Sequence, residues 1–85
     1  MNLRDALELH RNGRLDEADY ACRELLEQNP CDAQAHHLLG VLLHQQGRQV
    51  AARQHLERAC ELAPAVAEFH LSHGLLLGAL GNHEE

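Results

Sequence analysis

Histidine is the residue type with the greatest chemical potential in this sequence, which contains eight of them. A neutral imidazole is the commonest metal ligand in proteins and also serves as a general base. His70 and His73 lie three residues apart, a spacing that places both on one face of a helix. A histidine-based metal-binding module is therefore one function to weigh.

Residues for covalent catalysis are scarce. Ser72 is the only serine and there is no threonine. Its neighbour His73 points in another direction on a helix, so the two cannot form a nucleophile–base pair. The glycines at positions 13, 40 and 47 are isolated and form no phosphate-binding loop. We therefore expect no enzyme activity, no catalytic residue and no cofactor.

Charge and composition narrow the choice of partner. Thirteen acidic residues stand against seven arginines and no lysine, for a net charge of -6, whereas a nucleic-acid surface needs basic residues to neutralise phosphates. The opening residues form no apolar leader, and no stretch approaches the ~18 apolar residues of a membrane span. Three cysteines without CxxC spacing favour structural thiols over a disulfide framework or a zinc site. We expect no nucleic-acid or membrane partner and a cytoplasmic location.

The elements that would carry these side chains recur every 34 residues, as the spacing of Gly13, Gly47 and Gly81 and of Pro30 and Pro64 shows. Identical residues at the same offset include Leu9/Leu43/Leu77, His10/His44, Arg14/Arg48, Ala18/Ala52, Glu27/Glu61, Ala33/Ala67, His36/His70, Gly40/Gly74 and Leu42/Leu76. Self-similarity at a fixed period of this length indicates stacked units that share a continuous core.

The middle unit resembles a tetratricopeptide repeat, a helix–turn–helix of 34 residues with the signature Trp-x2-Leu-Gly-x2-Tyr, then Ala-x3-Phe, then Pro. The matching residues are Leu39, Gly40, Ala52, Ala59 and Pro64, while His36, Leu43 and Leu56 replace Trp, Tyr and Phe. The resemblance implies an all-α solenoid of five helices with right-handed superhelical stacking. It divides a single domain into a degenerate repeat (1–32), a full repeat (33–66) and a half repeat (67–85).

Helix signals agree with this architecture. The expected helices run from about Asn2 to Asn12, Asp16 to Gln28, Asp32 to Gln46, Gln49 to Leu62 and Pro64 to Leu80. Asp32 is a plausible N-cap, and the glycines after the first and third helices suit left-handed C-caps. In the family, the glycine after the signature leucine lets two helices approach closely. Gly40 should therefore pack against Ala52 and Ala59, and Gly74 should occupy an equivalent close contact.

Stacked repeats also weigh on the metal hypothesis. Equivalent residues such as His36 and His70 would lie ~10 Å apart, the separation of packed helices. Two ligands of one zinc ion, each bonded at ~2.0 Å, must lie much closer together than that. Partial burial of both histidines in place of the signature Trp is the favoured interpretation, and the metal-binding module stays as an alternative.

The resemblance implies a concave groove lined by the first helix of each pair. Carried over to this sequence, the groove residues are Leu3, Leu7, His10 and Arg11 from the first unit, His37, Val41, His44 and Gln45 from the second, and Leu71 and Leu75 from the third. An apolar floor with histidines suits the apolar side of a peptide or helix. We expect a non-catalytic scaffold that binds a protein or peptide, as part of a longer protein.

Two further expectations concern the context of the chain. Its repeats are similar to the opening repeats of bacterial proteins with a glycosyltransferase of the O-GlcNAc transferase type, so a substrate-docking arm of such an enzyme is an alternative function. The fifth helix is apolar around much of its circumference. We expect a homodimer that forms through Phe69, Leu71, Leu76 and Leu80.

Overall fold

Five helices account for nearly all of the structure, a computed structural model that describes the backbone of residues 2–84 and the side chains of residues 2–78. The helices are α1 (Leu3–Arg11), α2 (Leu15–Gln28), α3 (Ala33–Gln45), α4 (Gln49–Leu62) and α5 (Ala67–Glu84). The expected all-α architecture is confirmed, and the described residues form no strand. None of these helices is both long and apolar enough to cross a bilayer.

Helix starts are fixed by short polar side chains. The Asn2 side chain accepts a hydrogen bond from the Asp5 amide, and the Asp5 carboxylate accepts one from the Asn2 amide, which completes a capping box before α1. Asp32 caps α3 through the Ala35 amide at 3.1 Å, as its sequence position predicts. These caps satisfy amides that have no partner within the helix.

The first and third helices end in the same way, one period apart. Gly13 and Gly47 adopt φ values of 77° and 81°, in the left-handed region that favours glycine. The amide of Arg14 donates to the Leu9 carbonyl at 2.9 Å, and the amide of Arg48 donates to the Leu43 carbonyl at 2.8 Å. These are Schellman bonds, which close the helix and reverse the chain into its antiparallel partner.

The core lies between the paired helices. α1 packs on α2 and α3 on α4, while α2 packs on α3 and α4 on α5. Small residues fill the first junction, where Ala6, Ala18, Ala21 and Cys22 have no exposed surface. The larger buried side chains are Leu39, Leu42, Leu43, Leu56 and Leu76. Leucine and alanine therefore supply the core almost alone, with Phe69 as its aromatic member.

Gly40 is a point of close approach between α3 and α4. A Cβ built there would lie 2.7 Å from Cγ and Cδ2 of Leu56 and 3.2 Å from the Ala52 carbonyl oxygen. The close contact is thus with Leu56 and Ala52 rather than with Ala59. The matching expectation for Gly74 is wrong, because no described atom lies within 4 Å of the equivalent Cβ position. No helix in the described part of the chain packs over that face of α5.

The bounds of α5 also differ from the expected ones. The helix begins at Ala67 rather than at Pro64, which lies in a turn closed by a hydrogen bond from the Val66 amide to the Ala63 carbonyl at 3.2 Å. The Pro64 carbonyl accepts a hydrogen bond from His70 Nε2 at 2.7 Å, so it faces back toward the helix that follows. At the other end α5 continues through Gly81 to Glu84, since no chain reversal occurs there within the described residues.

Candidate functional site

The first helices of the successive units form one row, because α3 contacts both α1 and α5. A cleft of about 410 Å³ lies along this row. It is lined by Leu3, Leu7, His10, Gln34, His37, Leu38, Val41, Val66, Glu68, Phe69 and Ser72. These residues come from α1, α3, α5 and the turn before α5, so the cleft depends on all three units.

A second, smaller pocket of about 180 Å³ continues the cleft toward the end of α3. Val41 and Ser72 line both cavities, and His44, Leu56, Leu75 and Leu76 complete the smaller one. Leu75 is 67% exposed, whereas Leu56 and Leu76 belong to the core. The two cavities together make a groove, which we define by the residues lining either of them.

Two histidines link the helices along this groove. His10 Nε2 on α1 lies 2.9 Å from Gln45 Oε1 on α3, so the imidazole N–H donates to the amide oxygen. His37 Nε2 on α3 lies 2.8 Å from Ser72 Oγ on α5. Both links join residues 35 positions apart, close to one period, and each spans the junction between consecutive units. The groove is therefore held in shape by polar bonds as well as by apolar packing.

The environment of His37 keeps the groove floor uncharged at neutral pH. Its ring lies against Phe69, with the ring centroids 4.7 Å apart and the planes 30° apart. Burial lowers the pKa of His37, and the negative charge of Glu68 opposes this effect. Since the ordinary histidine pKa is already ~6.5, His37 is neutral at pH 7. The Glu68 carboxylate is then the charged group that lines the larger cavity at neutral pH.

The structure brings together most of the groove residues expected from the sequence. Leu3, Leu7, His10, His37 and Val41 line the larger cavity, and His44 and Leu75 line the smaller one with Val41. Gln45 lines neither cavity but holds His10 in place. Arg11 and Leu71 are exposed and line neither cavity.

Sequence reasoning missed several groove residues, of which Phe69 is the most informative. The 34-residue offset aligns Phe69 with Ala35, a small residue that is fully buried. A large ring at that position extends beyond the packing contact and contacts His37 in the cavity. The change from a small to a large residue at one repeat position was a signal that could have identified it. Val66 and Glu68 precede the expected groove positions, and Ser72 adjoins them.

Ser72 pairs with His37 rather than with its neighbour His73. The distance suits a nucleophile and its base, yet Ser72 lies within α5, where neighbouring amides are engaged in helix hydrogen bonds. Those amides cannot form an oxyanion site beside Ser72. Within the described residues, the pair acts as a structural link between α3 and α5.

The remaining histidines form a separate arrangement on the other side of α3. His36 lies against His55 of α4, with Nδ1 atoms 3.1 Å apart, and its Nε2 donates to the Pro30 carbonyl at 2.9 Å. His70 makes the equivalent bond to Pro64, but its side chain is exposed, so the expected burial is found for His36 and not for His70. Over residues 2–78 no group of three or more potential ligands could hold a metal ion.

The expected self-association residues separate into two groups. Phe69 and Leu76 are only 4% and 1% exposed, so their apolar surface is already used inside the chain and cannot form an interface. This part of the expectation is corrected. Leu71 is 64% exposed, and Leu75 and Leu77 are exposed beside it. The side chain of Leu80 lies outside the described residues.

Comparison with protein families agrees with the helical repeat described above. Residues 21–54 match the family model for the tetratricopeptide repeat, over a segment that runs from α2 through α3 into α4. The chain contains a tetratricopeptide repeat. The matched segment spans 34 residues, one full period of this sequence, and includes Gly40 and Gly47.

The comparison adds nothing about a catalytic domain. A search of curated proteins finds no match to this chain. The similarity to proteins of the O-GlcNAc transferase type is therefore without support from these comparisons. What tetratricopeptide repeats generally do, mediating contacts between proteins, is the function class that the family match supports.

Proposed function

We propose that this tetratricopeptide-repeat chain is a non-catalytic interaction module that binds the apolar side of a peptide or helix in the groove along α1, α3 and α5. The observation that carries the proposal is the groove itself, a concave surface built from all three units. Ligand sites are concave and mostly apolar, with a few polar groups that fix orientation. Leu7, Val41 and Leu75 supply apolar surface here, and His37 with Ser72 supplies the polar pair.

The chemistry of the groove narrows the partner. The chain has no lysine, and no arginine lines either cavity. Capture of a carboxylate or a phosphate by a cationic clamp is therefore not the mode we propose. Glu68 places a negative charge at the edge of the larger cavity, so a ligand with apolar side chains and a nearby basic residue fits best.

Substitution of Val41 and Leu75 by glutamate tests this proposal. A helical peptide selected from a display library for binding to the wild-type chain serves as the probe, and titration calorimetry measures its Kd. We expect the double variant to lose at least tenfold in affinity with helicity unchanged, since buried carboxylates without partners oppose binding. Val50→Glu is the matched control, because Val50 is 64% exposed on α4 and lines neither cavity. Binding that survives the double change would place the site elsewhere.

We also propose that the chain self-associates through the exposed leucines of α5. Leu71, Leu75 and Leu77 are 64%, 67% and 43% exposed, and each leucine that becomes fully buried contributes about 1.5–3 kcal/mol. A homodimer around a two-fold axis would cover this surface on both copies. Sedimentation equilibrium should then give twice the 9.5 kDa monomer mass at micromolar concentration.

Two single variants separate the dimer from the groove. Leu71 lines neither cavity, so Leu71→Glu should give a monomer that still binds the peptide. Val41 lines both cavities and lies on α3, so Val41→Glu should weaken peptide binding and leave the dimer intact. A wild-type chain that sediments as a monomer at 100 micromolar with normal helicity would refute self-association.

A further inference from the structure

The contact between His36 and His55 depends on protonation in a way that the groove contacts do not. The two Nδ1 atoms are 3.1 Å apart, and the rings are stacked with centroids 5.4 Å apart and planes at 29°. His36 lies on α3 and His55 on α4, so this histidine pair joins the two helices of the full repeat. Both side chains are half-buried.

The Pro30 carbonyl determines which nitrogen of His36 carries the proton. A carbonyl oxygen only accepts, so His36 Nε2 must be the N–H donor in the 2.9 Å bond to Pro30. In neutral His36, Nδ1 is then an acceptor, and His55 Nδ1 must donate to it. When both imidazoles are protonated, both Nδ1 atoms are donors, and two cations face each other at 3.1 Å. The hydrogen bond between α3 and α4 is then lost.

We propose that the histidine pair is an acid-sensitive latch between α3 and α4, closed while at least one imidazole is neutral and open when both are protonated. The groove histidines respond differently. A serine hydroxyl both donates and accepts, so the bond between His37 and Ser72 survives protonation, and so does the bond from His10 to the amide oxygen of Gln45.

The surroundings of His55 bias the latch toward the closed state at neutral pH. Burial lowers the pKa of His55 most, and the neighbouring His36 and then Arg23 of α2 lower it further, whereas Asp19 of α2 raises it. Arg23 and Asp19 form an ion pair with each other, so their opposite effects on His55 partly cancel. On the side of His36 the facing group is the uncharged Pro30 carbonyl.

The direction of the pH effect follows from this. Because folding lowers the pKa of His55, the unfolded chain takes up a proton first as the pH falls. The stabilising contribution is complete above the unfolded pKa of ~6.5 and is lost as the pH falls through the folded pKa. One extra proton bound by the unfolded chain reduces the folding equilibrium constant by up to tenfold per pH unit. The loss of stability should therefore begin below about pH 6.5.

Urea unfolding between pH 7.5 and 4.5 tests the proposal with His55→Asn. The asparagine amide nitrogen occupies the place of Nδ1 and can donate to His36 without titrating. We expect the wild-type folding equilibrium constant to fall at least threefold more than that of the variant over this range. His70→Gln is the matched control, since His70 makes the equivalent carbonyl bond to Pro64. This control should retain the wild-type pH dependence.

NMR titration of the imidazole nitrogens gives a second measurement that does not depend on the stability of His55→Asn. In His36→Asn, His55 no longer faces a second imidazole, so its pKa should rise relative to wild type. Equal pH dependence of the wild type and His55→Asn, or a His55 titration unmoved by His36→Asn, would overturn the proposal. Because α3 also carries the groove floor, opening the latch would loosen the groove. That consequence rests on the proposed function, whereas both measurements test the latch without any ligand.

Discussion

Replacing Gly40 by alanine tests how closely α3 and α4 pack. The added Cβ would lie 2.7 Å from both Cγ and Cδ2 of Leu56, well inside the contact distance of two carbon atoms. Leu56 is only 2% exposed, so the branch point of its side chain cannot move without displacing buried neighbours. The Ala52 carbonyl oxygen, 3.2 Å away, limits movement in the other direction. The variant must therefore shift a helix or strain a leucine.

Gly74 supplies a control at the equivalent position one repeat later. Both glycines lie inside helices, so alanine at either site gains about 1 kcal/mol in helix propensity. Only Gly40 meets a steric barrier, because no described atom lies within 4 Å of a Cβ at Gly74. The propensity gain cancels in the comparison. Gly40→Ala should therefore be less stable than Gly74→Ala by the cost of overpacking, about 1–3 kcal/mol.

Thermal unfolding followed by circular dichroism measures this difference. For a domain of this size 1 kcal/mol corresponds to about 4–8 °C in Tm, so Gly40→Ala should melt at least about 4 °C below Gly74→Ala. Gly74→Ala should melt above the wild type. Gly40→Leu, which adds a whole side chain against Leu56 and Ala52, should be less stable still. Equal melting temperatures for the two alanine variants would refute the close packing of α3 on α4.

Three further predictions concern helix ends and thiols. Asp32→Ala removes the acceptor for the Ala35 amide and should cost about 1 kcal/mol in urea unfolding, whereas an unchanged midpoint would mean that water replaces the cap. Gly47→Ala forces a Cβ into left-handed backbone and should lower the stability by about 1–2 kcal/mol, with an unchanged Tm as the contrary result. Cys31 is exposed, while burial raises the pKa of Cys22 to about 12, so iodoacetamide at pH 8 should label Cys31 in the native chain and label Cys22 only after unfolding; mass spectrometry of the peptides would reveal the opposite order.

Local signals predicted the helices well because each is bounded by its own chemistry. α4 has the expected bounds of Gln49 and Leu62, and α3 begins directly after the expected cap Asp32. The start of α5 was predicted wrongly because proline is tolerated in a first helical turn. In the structure Pro64 instead lies in the turn, where its carbonyl accepts from His70. A contact six residues away determined that boundary, and no local preference could reveal it.

The histidine pair was missed for a different reason. Comparing residues at the 34-residue offset aligned His36 with His70, which are equivalent positions in successive units. His55 lies at an unrelated position of the repeat, 19 residues after His36, and reaches it because α3 and α4 are antiparallel. Periodicity identifies residues that share an environment. It does not identify residues that contact each other inside one unit.

The orientation of α5 shows most clearly what periodicity leaves undetermined. Apolar residues surround this helix, so its sequence favours no single face for burial. Packing against α4 and α3 turns Phe69 and Leu76, seven residues apart, toward the core and leaves Leu71 and Leu75, four apart, in solvent. The fit between side chains on neighbouring helices decides this rotation. That rotation places Leu75 in the groove and leaves Leu71 free for a second copy, so the same packing event divides α5 between the two proposed partners.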